Sequence, residues 1–567
     1  MIDIFAISLF SSVILLTFGS IFQKFAFNQD INTNKNFSEC SIYGIIFLSF
    51  LALIINFILP INKLLGDIVC ILSASFFLLF FFNSNYKKKL FIFLIFTSII
   101  TFFLLVLSTV NRPDAGLYHL PYVRLINDYK IILGASNIHF RFGHISIVQY
   151  LSAIYNSNFF ATSSITVPLA STTAIFITYL INKFYSLFEK KNNLSFVIFL
   201  ILIFSLYSFN RYSSYGNDAP SHIYFFILAV IFLDLKNLKK CDVVSFYKIC
   251  FISIFLLTLK MFMIVILAVP FLMFLISDYK KEIIFNKNFI ICIIFAASWI
   301  LKNTLISGCL VYPIQKTCFK NLNYYDDKRT EETIFVSEAW AKGWSDQNKE
   351  EIILKYNEYN KNFNWVKTWK KKHLKKIYEK ILPFTVFLAV ILIYMILNKL
   401  LSIKKLSKYQ NIKNSRIYIL LSLSILLILL WFLKFPIYRY GSSFIALSII
   451  LITTLLFKEY INLMNKKFYT TIIIIGVLGF LFKNSMRITD QFNNNYNQYP
   501  WPAIYSLNIK DNNVEKKFKA INYKDKFVYY YNSGELCMYT KSPCSNYKIS
   551  NLRNLKINSY LLYYLDK

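Results

Sequence analysis

Fourteen apolar stretches, most of them close to the length of about 20 residues that crosses a hydrocarbon core, recur along this chain and leave few folds open to it. They lie at 3–22, 41–60, 64–82, 90–110, 159–181, 195–210 and 219–233, then at 246–259, 261–277, 288–306, 381–397, 417–433, 442–457 and 468–482. The eighth and ninth are separated only by Lys260. Joined, they would form a helix of about 45 Å at 1.5 Å per residue, too long for one crossing, so they count as two. The chain is therefore read as an all-α polytopic membrane protein with about 14 transmembrane helices. Only 16% of its residues are charged, against roughly a quarter in a soluble domain, which excludes a water-soluble globule. A net charge of +33 would point to nucleic acid in a soluble protein. Here the lysines stand among runs such as FFLLFFF and TIIIIG, so the expected partners are membrane lipids, with no nucleic acid. Abundant Lys, Asn, Ile and Phe together also fit an AT-rich genome.

Short Lys-bearing loops stay on the cytoplasmic side of a membrane. The segments YKKK at 86–89, EKKN at 189–192, KNLKK at 236–240, YKKE at 279–282, Lys399 to Arg416 and NKK at 465–467 all fall on one side in strict alternation. Both termini are then outside, with larger outer segments at 111–158, 210–218, 302–380 and from 484 onward. The start Met-Ile-Asp lacks a basic n-region, so the first stretch reads as a retained helix rather than a signal peptide.

On this topology all five histidines, His119, His139, His144, His222 and His373, lie outside. Imidazoles donate, accept and titrate near neutrality, and three of them share the 111–158 loop with Arg141. The bland alternative is that polar side chains populate the only wet part of the chain. Asp114 follows the fourth stretch directly, where an acid at the bilayer edge is a functional candidate by default. Two amphipathic segments in the same loop, around Leu117 to Ile126 and Ile145 to Ile154, are expected along the membrane interface. Asp218 and His222 stand at the mouth of the seventh stretch, where Asn217 or Asp218 before Ala-Pro equally suits a helix cap. Lys260, Lys302 with Asn303, and Arg439 fall on the same face. Each could merely snorkel, but together they favour an anion such as a phosphate or diphosphate. Asp67, inside the third stretch, is the main feature favouring transport.

Four cysteines fall outside, and the spacings Cys309 to Cys318 and Cys537 to Cys544 suit two local disulfides in an oxidising space. No CxxC or HxxxH spacing accompanies them, which disfavours zinc. The polar segment 319–375, with Trp340, Trp344, Trp365 and Trp369, is expected to form amphipathic helices over the outer face, as a cover or as a plain surface domain. The tail carries a β-prone run from Phe527 to Tyr531 and reads as a small capping module.

An Asp just after a transmembrane helix, two juxtamembrane helices in the same loop and a large late outer loop resemble the GT-C superfamily of polytopic glycosyltransferases. The segments DAGLYHLP, NIHFRFG, WILKNTLISGCLVYP and CMYTKSPC are similar to an uncharacterised bacterial family of multipass proteins linked to polysaccharide synthesis. The resemblance implies an N-terminal addition at 1–89, a GT-C-like core at 90–483 and an outer C-terminal module at 484–567. It implies a bacterial inner-membrane enzyme, inverting, that moves a sugar from a polyprenyl-phosphate donor to a lipid-linked or surface glycan acceptor at the outer face. Asp114 takes the general-base position and Asp218 that of a second acid. His119, His139, Arg141, His144, His222, Lys260, Lys302, Asn303 and Arg439 would bind sugar hydroxyls or phosphate. No cofactor is certain, and Ala115 after Asp114, where one GT-C pattern has a second acid, leaves a divalent metal open. The alternatives are an O-antigen-type polymerase or ligase, and a polysaccharide or lipid transporter.

Overall fold

The structure is a computed structural model that describes residues 2–29, 36–106, 114–209, 216, 218–346, 354–401, 412–463, 465–494, 518–532 and 536–566. Most of the 210–218 loop, with the expected cap at Asn217, lies outside the described residues, as do the 107–110 end of the fourth stretch and 495–517 in the tail module.

Every one of the fourteen apolar stretches overlaps a helical segment. Among the described residues ten helices are long and apolar enough to cross a membrane: Ile2–Phe27, Phe37–Asn56, Lys63–Asn83, Lys87–Leu105, Thr162–Glu189, Lys287–Ser307, Val366–Leu400, Asn414–Lys434, Tyr438–Leu456 and Lys466–Asp490. Leu194–Ser208, Asp218–Asp234, Val243–Leu259 and Met261–Ile276 are shorter. At Lys260 the backbone is extended, and Met261–Ile276 packs back against Val243–Leu259, so the lysine marks a reversal between two segments.

Several buried hydroxyls of the bundle are satisfied within their own helix. Ser8, Ser41, Ser49 and Thr178 each donate to the carbonyl four residues back, the arrangement that a bilayer without water demands. Helices Ile2–Phe27 and Phe37–Asn56 meet backbone to backbone. A Cβ on Gly19 would lie 2.0 Å from the Cys40 carbonyl oxygen, and one on Gly44 would lie 1.9 Å from that of Leu15, so only glycine permits this approach.

The bundle has two distinct ends. At one, Lys248 pairs with Glu39 at 2.6 Å, Lys183 with Asp234 at 2.7 Å and Lys466 with Glu189 at 3.9 Å, while Asp278 N–H donates to the Lys239 carbonyl. Lys-bearing loops 189–192, 236–240, 279–282 and 465–467 gather there. At the other end lie the 114–158 loop and the described residues of 308–375 and of the tail.

Within the 114–158 loop the two amphipathic segments form helices Leu120–Asp128 and Val148–Ile154. The expectation of an interfacial position is corrected for the second: all seven of its residues are buried, and it packs against Phe37–Asn56 and Leu120–Asp128. Its sequence VQYLSAI offers no charged face to hold it at a surface. Asp67 lies in the first turns of Lys63–Asn83 and accepts from Ser157 Oγ, Asn158 N–H and Asn158 Nδ2 at 2.6–2.8 Å. It joins that helix end to the loop rather than sitting mid-span.

The 319–375 segment builds a small core from Ala339, Tyr359, Trp365 and Trp369 against Phe432, and Trp369 Nε1 donates to the Pro436 carbonyl at 2.7 Å. Among the described residues strands are confined to the tail. β1 (Phe518–Tyr523) and β2 (Lys526–Asn532) are antiparallel, β3 (Cys544–Ser545) joins β2 in parallel, and β4 (Leu552–Ile557) with β5 (Tyr560–Leu565) makes a hairpin. The β-prone run lies within β2. Disulfides join Cys309 to Cys318 and Cys537 to Cys544.

Candidate functional site

Five elements deliver charged side chains to one place. Asp114 opens the 114–158 loop and is followed by a widened π-helical turn, Ala115–His119, a local form frequent at functional sites. Arg141 sits in the short 3₁₀ turn Phe140–His144, Arg439 in the first turn of Tyr438–Leu456, Asp218 at the head of Asp218–Asp234 and Lys260 at the reversal.

These side chains form an alternating chain of charges. Arg141 Nη1 donates to Asp114 Oδ1 at 2.8 Å, and Arg439 Nη2 donates to Asp114 Oδ2 at 3.1 Å. Arg439 Nε lies 3.7 Å from Asp218 Oδ2, whose other oxygen is 2.5 Å from Lys260 Nζ. Among the described residues two carboxylates thus meet three cations, leaving one positive charge in excess. Lys260 is the closed end, with its side chain 8% exposed, whereas Asp114 and Asp218 are 23% and 22% exposed and the two arginines 35% and 38%. The Asp114 end is therefore open to a ligand. Burial pushes the Asp114 carboxyl up, but Arg439 and Arg141 together outweigh it and hold the group below its ordinary value.

Tyr440 completes the chain and was not singled out in the sequence. Its hydroxyl accepts from Arg439 Nη2 at 3.0 Å, and Lys260 Nζ stands 4.2 Å from its ring centre. The available signal was its place beside Arg439 at the start of a helix, one step from a cation already noted. Tyr118 and Gln149 were missed as well: Arg141 lies over the Tyr118 ring at 5.2 Å, and Gln149 holds His119.

The histidines divide. Burial pushes His119 down to about 4, although Asp114 and Asp218 pull it up, and its Nδ1 is 3.1 Å from Gln149 Nε2. His119 is thus a neutral neighbour of the charge chain. His139, pushed down to about 3 by burial and by Arg141, accepts the Arg141 N–H on Nδ1 at 3.2 Å. It shapes the turn that carries Arg141 and does not reach Asp114. His144 is exposed, with its ring 5.2 Å from that of Tyr312. His222 Nε2 is 2.7 Å from the Arg439 carbonyl, which only accepts, so that nitrogen carries the proton and Nδ1 accepts from Ser443 Oγ at 2.7 Å. His222 therefore fixes the turn that aims Arg439 and is not free to bind a sugar through either nitrogen.

Lys302 and Asn303 depart from expectation. Lys302 is fully buried, donates to the Ile145 carbonyl at 3.1 Å and to Asn303 Oδ1 at 3.2 Å, and lies 4.0 Å from the Trp299 ring. Asn303 Nδ2 donates to the Leu310 carbonyl. Both are absorbed in holding the 145 and 310 loops, so the expected ring of Lys260, Lys302 and Arg439 reduces to Lys260 and Arg439, with Arg141 as the third cation. Among the described residues no group of three or more His, Cys, Asp or Glu side chains could hold a metal. The oxygens of Asp114 and Asp218 are already taken by cations, so this donor set does not fit a divalent ion.

No curated protein and no solved structure matches the chain. The family model described as "Domain of unknown function (DUF8201)" matches residues 1–446, which include every member of the charge chain, and the protein belongs to that family.

Proposed function

We propose that this protein is a GT-C-like, inverting membrane glycosyltransferase of the bacterial inner membrane. It takes a sugar from a polyprenyl-phosphate donor and passes it to a lipid-linked or surface glycan acceptor in polysaccharide synthesis. The supporting observation is the Arg141–Asp114–Arg439–Asp218–Lys260 chain, a carboxylate ringed by phosphate-binding side chains at one end of an apolar bundle. In this reading all fourteen helical segments cross the membrane, with the 1–89 addition preceding the core. The Lys-bearing loops face the cytoplasm, and the site and both termini face the periplasm. Membrane lipids, donor and acceptor are the partners.

The chemistry follows from the charges. As found, Asp114 is a weak base because two guanidiniums hold it. A donor phosphate entering at Arg141 and Arg439 competes for the same N–H groups, since guanidinium pairs with phosphate as well as with carboxylate. The carboxylate thus loses its cations when the donor binds, and its basicity rises. The acceptor hydroxyl then attacks the anomeric carbon while its proton passes to Asp114. The bond from that carbon to the phosphate oxygen breaks, and the electron pair leaves with the polyprenyl phosphate, stabilised by the cations. Asp218 keeps Lys260 and Arg439 in place.

The test is transfer from a polyprenyl-phosphate sugar by the purified protein. Asp114→Asn should lower kcat by about two to four orders of magnitude, the usual worth of a general base, in protein that still folds; full activity in that variant removes the proposed base. A protein that ignores monosaccharide carriers and joins only preassembled diphosphate-linked units would be a polymerase or ligase. Two-sided accessibility of an engineered cysteine beside Asp114 would indicate a transporter.

A further inference from the structure

The widened turn that carries Asp114 contains a flaw in its own hydrogen bonding. In a π-helical turn each carbonyl accepts from the N–H five residues on, and the Leu120 N–H does reach the Ala115 carbonyl. The next carbonyl, that of Gly116, looks to residue 121, which is Pro121 and has no N–H. Gly116 is buried, so an unpaired carbonyl there would be costly. Its partner comes from the far end of the chain: the Met538 N–H donates to it at 2.9 Å.

Met538 is placed for this by local chemistry. It stands inside the loop closed by the Cys537–Cys544 disulfide, with a left-handed φ of 52°, a conformation that costs a non-glycine residue and persists where the surroundings impose it. Leu536 and Met538 fill the space beside Gly116. A Cβ added there would come within 2.3 Å of Met538 Sδ and 2.9 Å of Leu536 Cβ. The same loop is anchored by Tyr539, which is buried and whose hydroxyl donates to Asn127 Oδ1 at 2.8 Å. Farther along, β5 pairs with Leu133 in both directions, Leu133 N–H to Leu561 and Tyr563 N–H to Leu133, and Asn137 Nδ2 donates to the Tyr563 carbonyl. The tail module thus follows the 114–144 loop from the turn behind Asp114 to the approach to Arg141, although it lies beyond the residues matched by the family model.

We propose that Met538, held by the Cys537–Cys544 loop, is a positioning residue for Asp114: it supplies the hydrogen bond that Pro121 withholds and so fixes the turn on which the carboxylate is mounted. The inference rests on the transferase reading only in taking Asp114 as the centre of the site. Its first test therefore reads the turn directly.

Backbone hydrogen exchange is measured on the full-length protein in lipid nanodiscs. Met538→Pro removes the N–H, and the double variant Cys537→Ser/Cys544→Ser opens the loop. Both should speed exchange of amides 115–120 by about tenfold while helices 167–180 and 223–230 keep their protection. Met538→Gly keeps the N–H and suits the left-handed backbone, so it should stay within about twofold of the parent. Adding Pro121→Ala to Met538→Pro returns an N–H to the turn and should restore most of the lost protection, a rescue that a merely space-filling tail would not give. Unchanged exchange at 115–120 in Met538→Pro and in the serine double variant overturns the proposal. So does a loss spread evenly over all helices, or a failure of Pro121→Ala to rescue. In the transfer assay Met538→Pro should lower kcat by about tenfold and leave the donor KM within about twofold, as expected when a reacting group is misplaced but the cations still bind. If the parent protein transfers no sugar, the transferase reading falls while the exchange result still decides the role of Met538.

Discussion

Among the described residues Arg439 is the one side chain that touches both carboxylates of the site, and replacing it with Gln should unbalance them measurably. It lies 3.1 Å from Asp114 Oδ2 and 3.7 Å from Asp218 Oδ2. At an effective dielectric of about 20, the raw attractions are of the order of 5 and 4 kcal/mol. The Arg439 side chain is 38% exposed and that of Asp114 23%, so solvent screening cuts the Asp114 contact to the range of a charge-assisted hydrogen bond, about 1.5–3 kcal/mol. Losing that contact raises the pH at which Asp114 titrates. In the parent protein the folded carboxyl lies below its ordinary value. The stability it contributes is therefore fully present above the unfolded carboxyl's pKa, near 3.9, and disappears as the pH falls through the folded one. Arg439→Gln leaves burial opposed chiefly by Arg141, so the acid limb of stability moves up in pH and the variant loses stability first in mildly acidic buffer. Thermal unfolding in nanodiscs between about pH 3 and 7, with the carboxylic acid band followed by infrared difference against Asp114→Asn, measures both effects. Arg439→Lys keeps a charge but cannot span both acids, so it should fall between. An acid limb and infrared titration unmoved by Arg439→Gln would mean that the guanidinium does not hold Asp114 in its charged form, and the release step proposed for the donor would have no basis.

Three further outcomes follow from packing and burial. Gly44→Ala should destabilise the protein by about 1–3 kcal/mol, because its Cβ meets the Leu15 carbonyl and the two helices must separate. Gly479→Ala, with nothing within 4 Å of the added carbon, should stay within about 0.5 kcal/mol; equal effects in thermal unfolding would refute the close contact. Lys302→Met should destabilise the protein by about 1–3 kcal/mol, because the buried Ile145 carbonyl and Asn303 Oδ1 lose their donor, and should leave donor affinity unchanged. A large loss of donor affinity in that variant would return Lys302 to the binding site. His222→Phe should lower kcat through Arg439, whose turn the imidazole ties to Ser443, and adding back imidazole-like polarity with His222→Gln should recover part of it in the same assay.

The bundle was legible because apolar run length is a one-dimensional signal: all fourteen stretches overlap helical segments, and even the single Lys260 marked the reversal. Asp114, Asp218, Lys260 and Arg439 were found together for a related reason. Alternating crossings assign each helix end to a face, so charges at corresponding ends must share a surface. That logic gives the face but not the direction of a side chain, which is why Lys302, at the right end of its helix, turned out to serve the Ile145 carbonyl. Histidine content was a weaker guide still. His119, His139 and His222 are where polar chemistry was expected, yet burial and backbone partners make His139 and His222 props for Arg141 and Arg439. The interfacial position expected for Val148–Ile154 failed because amphipathicity over seven residues does not distinguish a lipid surface from a protein one. The Met538–Gly116 bond left no pattern to read. Pro121, five residues after Gly116, takes its meaning only from a segment of chain more than four hundred residues away.

That separation has a consequence for how the molecule is made. Asp114 and its turn leave the ribosome about 420 residues before Met538 does, which at a synthesis rate of roughly 5–20 residues per second is an interval of about 20–80 s. Throughout it the Gly116 carbonyl and the edge at Leu133 have no partners from the tail, although the helices that carry Asp218, Lys260 and Arg439 are added one after another. The charge chain is thus assembled before the turn beneath it is secured. A chain truncated before the Cys537–Cys544 loop would hold every charged group of the site and still carry it on an unfinished turn.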